Sequence, residues 1–316
     1  MERKKRSTLI GAALIFIGLL VGVVAGHALT GEQSLPLLRR PQGGLSKPEQ
    51  TDSAIAAGPA TLVFSEADEY KAVIRYADDC GYRPDVGALL RQKLQWDLSG
   101  REPTVLIIHT HASESYTKEP GQTYQESSDY RTVDTQYNMV ALGDRLTSLL
   151  EQAGIAVVHD RQIHDYPSYN NAYTNSRQSA AYYLQEYPSV QVVLDLHRDA
   201  VLLSDGSQYA PTAQVDGKKV AQLMLVVGSS ASGMEHPHWQ ENLAAALKLQ
   251  VLLENQAPGI TRPTILRAQR FNHDLSTGAM IVEIGTAGNT FEEAMGALPY
   301  LAEALIGLMH GAGDSP

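Results

Sequence analysis

The chain has 316 residues, 43% hydrophobic and 19% charged, with a formal net charge of −10. That is enough apolar chain for a sizeable core, and an acidic balance of this size argues against a nucleic-acid partner held through its phosphates. The single cysteine, Cys80, excludes an intrachain disulfide and leaves His, Asp and Glu as the side chains for any metal site.

In chain order, residues 1–8 form a basic tail carrying Arg3, Lys4, Lys5 and Arg6. The uncharged stretch at 9–29 follows; at about 1.5 Å per residue it is long enough to cross a hydrocarbon core of about 30 Å. Basic residues on its amino side predict a single-pass membrane anchor with the rest of the chain outside the cytoplasm. Gly26, His27 and Ala28 offer a signal-peptidase site as the alternative. A cleaved signal usually has an apolar region of about 7–15 residues, so a retained anchor is the expectation. Residues 30–59, rich in Gly, Pro, Ser and Gln, read as a flexible tether. Over 60–100 the pattern is mixed, with loosely helical spacing at Ala88, Leu89, Leu90, Leu94 and Trp96 and no clear strand, which predicts a helical lead-in.

From 101 to 316 strand and helix patterns alternate. Strands are predicted at 104–109, 155–159, 190–196, 221–227 and 279–284, and helices at about 135–153, 171–186, 238–255 and 291–311. Ala153 and Gly154 supply a helix stop before the second strand. This order predicts an α/β domain built on a mostly parallel sheet with helices on both faces. Strands of such a sheet are buried on both sides, and ligands gather beyond their carboxyl ends.

Three of the apolar runs stop at ionisable residues. The first, VLIIHTHASE (105–114), places His109 and His111 on one face if the strand stays extended, with a turn bringing Glu114 back beside His111. An H-x-x-E arrangement suits zinc, which takes imidazole nitrogen and carboxylate oxygen at about 2.0–2.2 Å. The second, VQVVLDLHRD (190–199), repeats the design, with His197 between Asp195 and Asp199. Either aspartate can hold the imidazole N–H that a metal leaves free, or simply salt-link a structural histidine. Arg198 either holds an anionic substrate group or pairs with Asp199. The third, AMIVEIG (279–285), carries Glu283 inside a run so apolar that an unpaired charge there is costly and its pKa should rise, as a general base requires. The alternative is an ion pair with Arg267 or Arg270. Gly285, Gly288 and Asn289 are expected to shape the loop that follows.

Longer stretches carry a family resemblance: LIIHTHASESY, NMVALGDRLTSLLEQAGIAVVHDRQIHDYPSYNNAYTNSR, YPSVQVVLDLHRDA, HWQENLAAALKLQ and FNHDLSTGAMIVEIGTAGNTFEEA. In this order they resemble the stage II sporulation protein P family, over roughly residues 60–312. That family in turn is similar to zinc-dependent N-acetylmuramoyl-L-alanine amidases. The resemblance implies a membrane-anchored peptidoglycan hydrolase of spore engulfment, with zinc as cofactor. It also implies cleavage of the muramoyl-alanine amide and of peptide cross-links, and partnership with a lytic transglycosylase and a multispanning membrane protein. Carried over residue by residue, it makes His111, Glu114 and His197 the zinc ligands and Glu283 the catalytic base, with Arg198 beside them. Asp134, ahead of Asn138, is the alternative oxygen ligand and also reads as a helix N-cap; His109 is the alternative imidazole. The loop at 159–170 belongs to the same pattern and either lines a substrate groove or is merely solvated, and His236 and His238 are further imidazoles near a helix start. Two other readings stand beside the amidase. One is a zinc metallocarboxypeptidase on stem peptides, for which Arg198 would receive the terminal carboxylate. The other is a tethered wall-binding protein without turnover.

Overall fold

The computed structural model describes residues 64–77, 79–98 and 100–313. The expected basic tail, anchor and tether lie outside these described residues, among which no helix is long and apolar enough to cross a membrane. The strands are β1 (Ile74–Tyr76), β2 (Val105–Ile108), β3 (Val157–His159), β4 (Val192–Asp199), β5 (Thr212–Val215), β6 (Lys218–Ala221), β7 (Leu223–Val227), β8 (Thr264–Leu266) and β9 (Gly278–Thr286). The helices are α1 (Val86–Arg91), α2 (Met139–Gln152), α3 (Ala172–Glu186), α4 (Trp239–Gln256) and α5 (Phe291–Gly313).

Seven strands form one sheet in the order β1-β8-β7-β9-β4-β2-β3, parallel at every pairing except the antiparallel β7–β9 contact. Because side chains alternate along a strand, the sheet sorts its residues onto two faces. Ile107, Leu194, Leu196, Met280, Val282 and Ile284 join the main core with α2, α4 and α5. On the opposite face Leu106, Ile108, Val193 and Ala279 meet Ala180 and Tyr183 of α3. Helices therefore cover both faces, as the alternating pattern predicts. Helix α4 is buried nearly all round, from Asn242 to Val251, because α1, α5 and the sheet enclose it. Each fully buried leucine there contributes on the order of 2 kcal/mol from the area removed from water.

The expected helical lead-in at 60–100 needs correction. Its helix is shorter, Val86–Arg91, and the segment also supplies β1, which pairs with β8 at the sheet edge. Strands on both sides of the boundary at 100/101 thus share one sheet. A three-residue strand is too short to show a period, and its place at an edge leaves it half-buried. Strand β8, buried between β1 and β7, is likewise only three residues long and too short to show a period. The β5–β6 hairpin turns at Asp216 and Gly217, whose φ angles of 52° and 74° are those of a two-residue I′ turn. It lays Val220 and Ala221 against α5.

Candidate active site

Strands β4 and β9 lie side by side in register, so that His197 is the direct partner of Glu283. Residues paired this way point to the same face, which brings imidazole and carboxylate together although they stand far apart in the sequence. Both occupy the α3 side, beyond the point where that helix covers the sheet. Past this pair the register shifts, so that Asp199 faces Thr286. The extra residue on β9 is absorbed where Gly285 adopts φ +66°, and a Cβ there would sit 2.6 Å from Asn289 Oδ1. Asn289 in turn accepts from the Thr286 backbone N–H (2.9 Å) and donates to Glu293 Oε2 (2.8 Å). The loop expected from VEIGTAGN is therefore built as its Gly and Asn residues require.

The third contributor is the turn after β2. The chain does not stay extended past Ile108; it turns over Thr110–Ser113, and the Glu114 N–H donates to the His111 carbonyl (3.1 Å). Asp195 anchors this turn by accepting from the Thr110 backbone N–H (2.7 Å) and hydroxyl (2.6 Å). A cavity of about 240 Å³ results, lined by His111, Glu114, His197, Arg198 and Glu283 together with Arg131, Tyr169, Tyr173, Asp199, Arg267 and an apolar patch of Met224, Val226, Ile265, Phe271 and Ile281. A larger groove of about 520 Å³ runs past Tyr70, Lys71, Gln250 and Pro258. Its lining holds no imidazole, so the smaller cavity is the candidate site.

The electrostatics follow from crowding charges out of water. His197 Nε2 lies 2.9 Å from Asp195 Oδ1, and its Nδ1 lies 3.6 Å from Glu114 Oε2. Burial alone would lower the imidazole pKa, but Asp195, then Glu114 and Glu283, raise it to about 10. Glu283 pairs with neither Arg267 nor Arg270: its Oε2 is buried and has no hydrogen-bond partner among the described residues, while the residue stays partly open to the cavity. Burial first, then Asp199 and Glu114, push its pKa up to about 8 against the pull of His197 and Arg262. Burial would raise Glu114 as well, but the surrounding cations, Arg198 foremost, hold it below the ordinary carboxylate value.

Arg198 does not reach into the cavity as a free cation. Its Nε donates to the Ser115 carbonyl (3.0 Å), its Nη2 to the Tyr130 carbonyl (2.9 Å), and its Nη1 stands 3.6 Å from Glu114 Oε1. Nor does it pair with Asp199, which binds Arg262 at 2.8 Å. These contacts tie Arg198 to the turn that carries Glu114.

Among the described residues no group of three or more His, Cys, Asp or Glu side chains stands ready-made as a metal site. The donor chemistry nevertheless fits zinc. His111 Nδ1 and His197 Nε2 are buried without hydrogen bonds, and each imidazole has a carboxylate on that side, Asp165 at 3.8 Å and Asp195 at 2.9 Å. Carboxylates in this position orient metal-binding histidines. The same carboxylates that favour a proton on His197 would favour a dication in its place.

The alternative ligands are placed elsewhere. His109 keeps the parity of Ile107 and points to the α2 side, where its Nε2 lies 2.8 Å from His159 Nε2 and burial drops its pKa to about 3. Asp134 sits in the loop before α2, where its Oδ1 accepts from the Gln136 N–H (3.0 Å); the N-cap is Asn138. Reasoning from the sequence missed the support around His111. Tyr169 stacks on the His111 ring at 4.5 Å and 5°, and the Arg131 guanidinium lies 4.9 Å from the Tyr169 ring. Arg131 also binds Asp165 (2.6 Å) and Glu114 (3.1 Å). The 159–170 loop, dense in Tyr, Asp and His, was the signal for two of these partners. His236 is buried, and among the described residues neither ring nitrogen has a hydrogen-bond partner; Trp239 packs on Tyr82 at 4.9 Å.

Residues 45–306 match the family described as Stage II sporulation protein P. Stage II sporulation protein P of Bacillus subtilis (strain 168) is 28% identical over 217 residues, which covers 65% of this chain and 51% of that protein. The chain spans about half the length of that curated relative. Among solved structures, an N-acetylmuramoyl-L-alanine amidase from Clostridium difficile 630 is 14% identical, with 68% of this chain and 99% of that chain covered at a TM-score of 0.40. The N-acetylmuramoyl-L-alanine amidase AmiC2 of Nostoc punctiforme is 13% identical, with 67% and 96% covered at 0.37. Likenesses this distant carry no argument about the reaction. The match along most of the sequence does establish kinship, and this chain belongs to the stage II sporulation protein P family.

Proposed function

We propose that this chain is a peptidoglycan hydrolase that cleaves the N-acetylmuramoyl-L-alanine amide, and peptide cross-links as well, during engulfment of the forespore. The observation that carries the reading is the convergence of His111, Glu114, His197 and Glu283 on one cavity in a member of this family. A zinc ion held by His111, Glu114 and His197 would supply Lewis acidity to the scissile carbonyl and to water. Glu283 takes the proton from the attacking water and delivers it to the departing nitrogen, so the amide C–N bond is replaced by a C–O bond and the amine leaves neutral. A carboxylate with a pKa pushed up to about 8 suits both steps near neutral pH. Asp195 and Asp165 hold the imidazoles, Arg198 and Arg131 hold Glu114, and Tyr169 covers one face of the His111 ring.

The partners proposed with this activity are the cell wall as substrate, a lytic transglycosylase and a multispanning membrane protein. The anchor at 9–29 would keep the catalytic part on the outer side of the cell membrane. The metallocarboxypeptidase reading needed Arg198 as a free cation, and its guanidinium is engaged by two carbonyls. The test is incubation of purified sacculi with the zinc-loaded chain and mass spectrometry of the soluble products. Free stem peptides with a new alanine amino terminus are expected; intact sacculi alongside the transglycosylase would refute the proposal.

A further inference from the structure

Three arginines line the cavity, and two of them are tied down. Arg131 binds Asp165 and Glu114, and Arg198 binds Glu114 and two carbonyls. Arg267 differs: among the described residues its guanidinium meets no carboxylate and no carbonyl, while its backbone N–H donates to the Val227 carbonyl (2.9 Å). It is half-buried, on the strand face that carries Ile265, two residues before it. Between Arg267 and the ionisable cluster lies an apolar floor of Ile265, Val226, Ile281 and Met224, contributed by three adjacent strands. A half-buried cation that meets no counter-charge among the described residues, at the far end of a cavity with an apolar floor, is available to an anionic group of a ligand.

The sheet register sets the spacing. Met224 pairs with Glu283 and Val226 with Ile265, so Arg267 stands two strands across from Glu283 and four residue steps along. In a regular sheet that is about 16 Å between Cα atoms. Side chains stand roughly perpendicular to a sheet, so leaning toward each other they close only part of that distance and leave about 10 Å, or about three residues of extended peptide.

We infer that Arg267 is a specificity-determining residue that binds a carboxylate two or three residues along the stem peptide from the scissile amide, while the apolar floor receives the aliphatic side chains between. The substrate class is thus an anionic stem peptide, preferred over the same peptide with that carboxylate amidated. The inference rests on the proposed wall-hydrolase reading. The separation is too long for the terminal carboxylate of a residue being released, which would adjoin the scissile bond.

The test uses the full chain and two synthetic muramoyl tetrapeptides, identical except that the carboxylates on the second and third residues are free in one and amidated in the other. Binding is measured by calorimetry and cleavage by product release. A charge-assisted Arg–carboxylate contact predicts about 10- to 100-fold tighter binding and higher kcat/KM for the free acid. Arg267→Met, which keeps the aliphatic stem, should abolish that preference; Arg267→Lys should keep part of it; Arg267→Glu should reverse it. A thermal melt of each variant confirms the fold. Discrimination in binding without any cleavage would sink the hydrolase reading and keep the subsite. Equal affinity of the wild-type chain for the two peptides, or an unchanged preference in Arg267→Met, overturns the inference.

Discussion

Replacing Arg198 with Met tests whether this side chain is a strut or a substrate contact. Its side chain is only 6% exposed, and it satisfies the Ser115 and Tyr130 carbonyls while flanking Glu114. Methionine preserves the stem but leaves two carbonyls without donors and Glu114 with one cation fewer. Breaking a buried charged contact by removing one partner costs about 3–5 kcal/mol. Arg131, still 3.1 Å from Glu114, should keep the loss near the lower end of that range. The pH dependence gives a second signature. Glu114 is held below its unfolded pKa, so the stability it gains from cations is present above that pKa and disappears as pH falls through the folded value. The deficit of Arg198→Met, read by urea denaturation, should therefore be largest at neutral pH and shrink as pH falls below the ordinary glutamate pKa. A loss under about 1 kcal/mol at pH 7, accompanied by lost turnover, would refute the reasoning and return Arg198 to the substrate.

Three other predictions concern stability. In chelator at pH 7.5, Glu283→Gln should stabilise the metal-free protein: a carboxyl raised to about 8 when folded loses stability as pH rises above its unfolded pKa, and the amide removes that cost, on the order of 2 kcal/mol. A lower melting temperature would contradict it. His159 and His273 are buried neutral with pKa values of about 4 and about 3, so unfolding takes up their protons in mild acid. Stability should fall between pH ~6.5 and pH ~4 by up to about 1.4 kcal/mol per pH unit for each group, measured by denaturation across that range. Gly143→Ala would place a Cβ 2.3 Å from His159 Nε2 and 2.6 Å from His109 Nε2, and should cost about 1–3 kcal/mol or more. The control is Gly307→Ala in α5, whose nearest neighbour is a Leu252 methyl at 3.8 Å; it should be neutral or stabilise by about 1 kcal/mol in the same assay.

The central strands were legible because they are buried on both faces. β4 and β9 read as unbroken apolar runs, and the ionisable residues within them, Asp195, His197 and Glu283, stand out against that background. Pairing of His197 with Glu283 is a register fact that no local pattern carries. Period-two logic failed at HTHASE, because the turn at Thr110 sends His109 under α2 and only His111 into the cavity. The strands β1 and β8 were too short to show a period. The Asp-Gly pair at 216–217 was a readable hairpin signal that went unused. The contacts of Arg198 are not legible in the sequence because its partners, Ser115 and Tyr130, come from a loop distant in sequence. Tyr169 and Asp165 came into view only once the loop holding them folded back over His111.

The claim on which the rest depends is that His111, Glu114 and His197 bind one metal while Glu283 moves the proton. Metal analysis paired with sacculus digestion tests it directly on four preparations: wild type, His111→Ala, His197→Ala and Glu283→Gln. The account predicts about one zinc per chain and released stem peptides for the wild type, loss of both in the histidine variants, and retained zinc without product in Glu283→Gln. Stem peptides released by Glu283→Gln at the wild-type rate, or by either histidine variant without zinc, would contradict it.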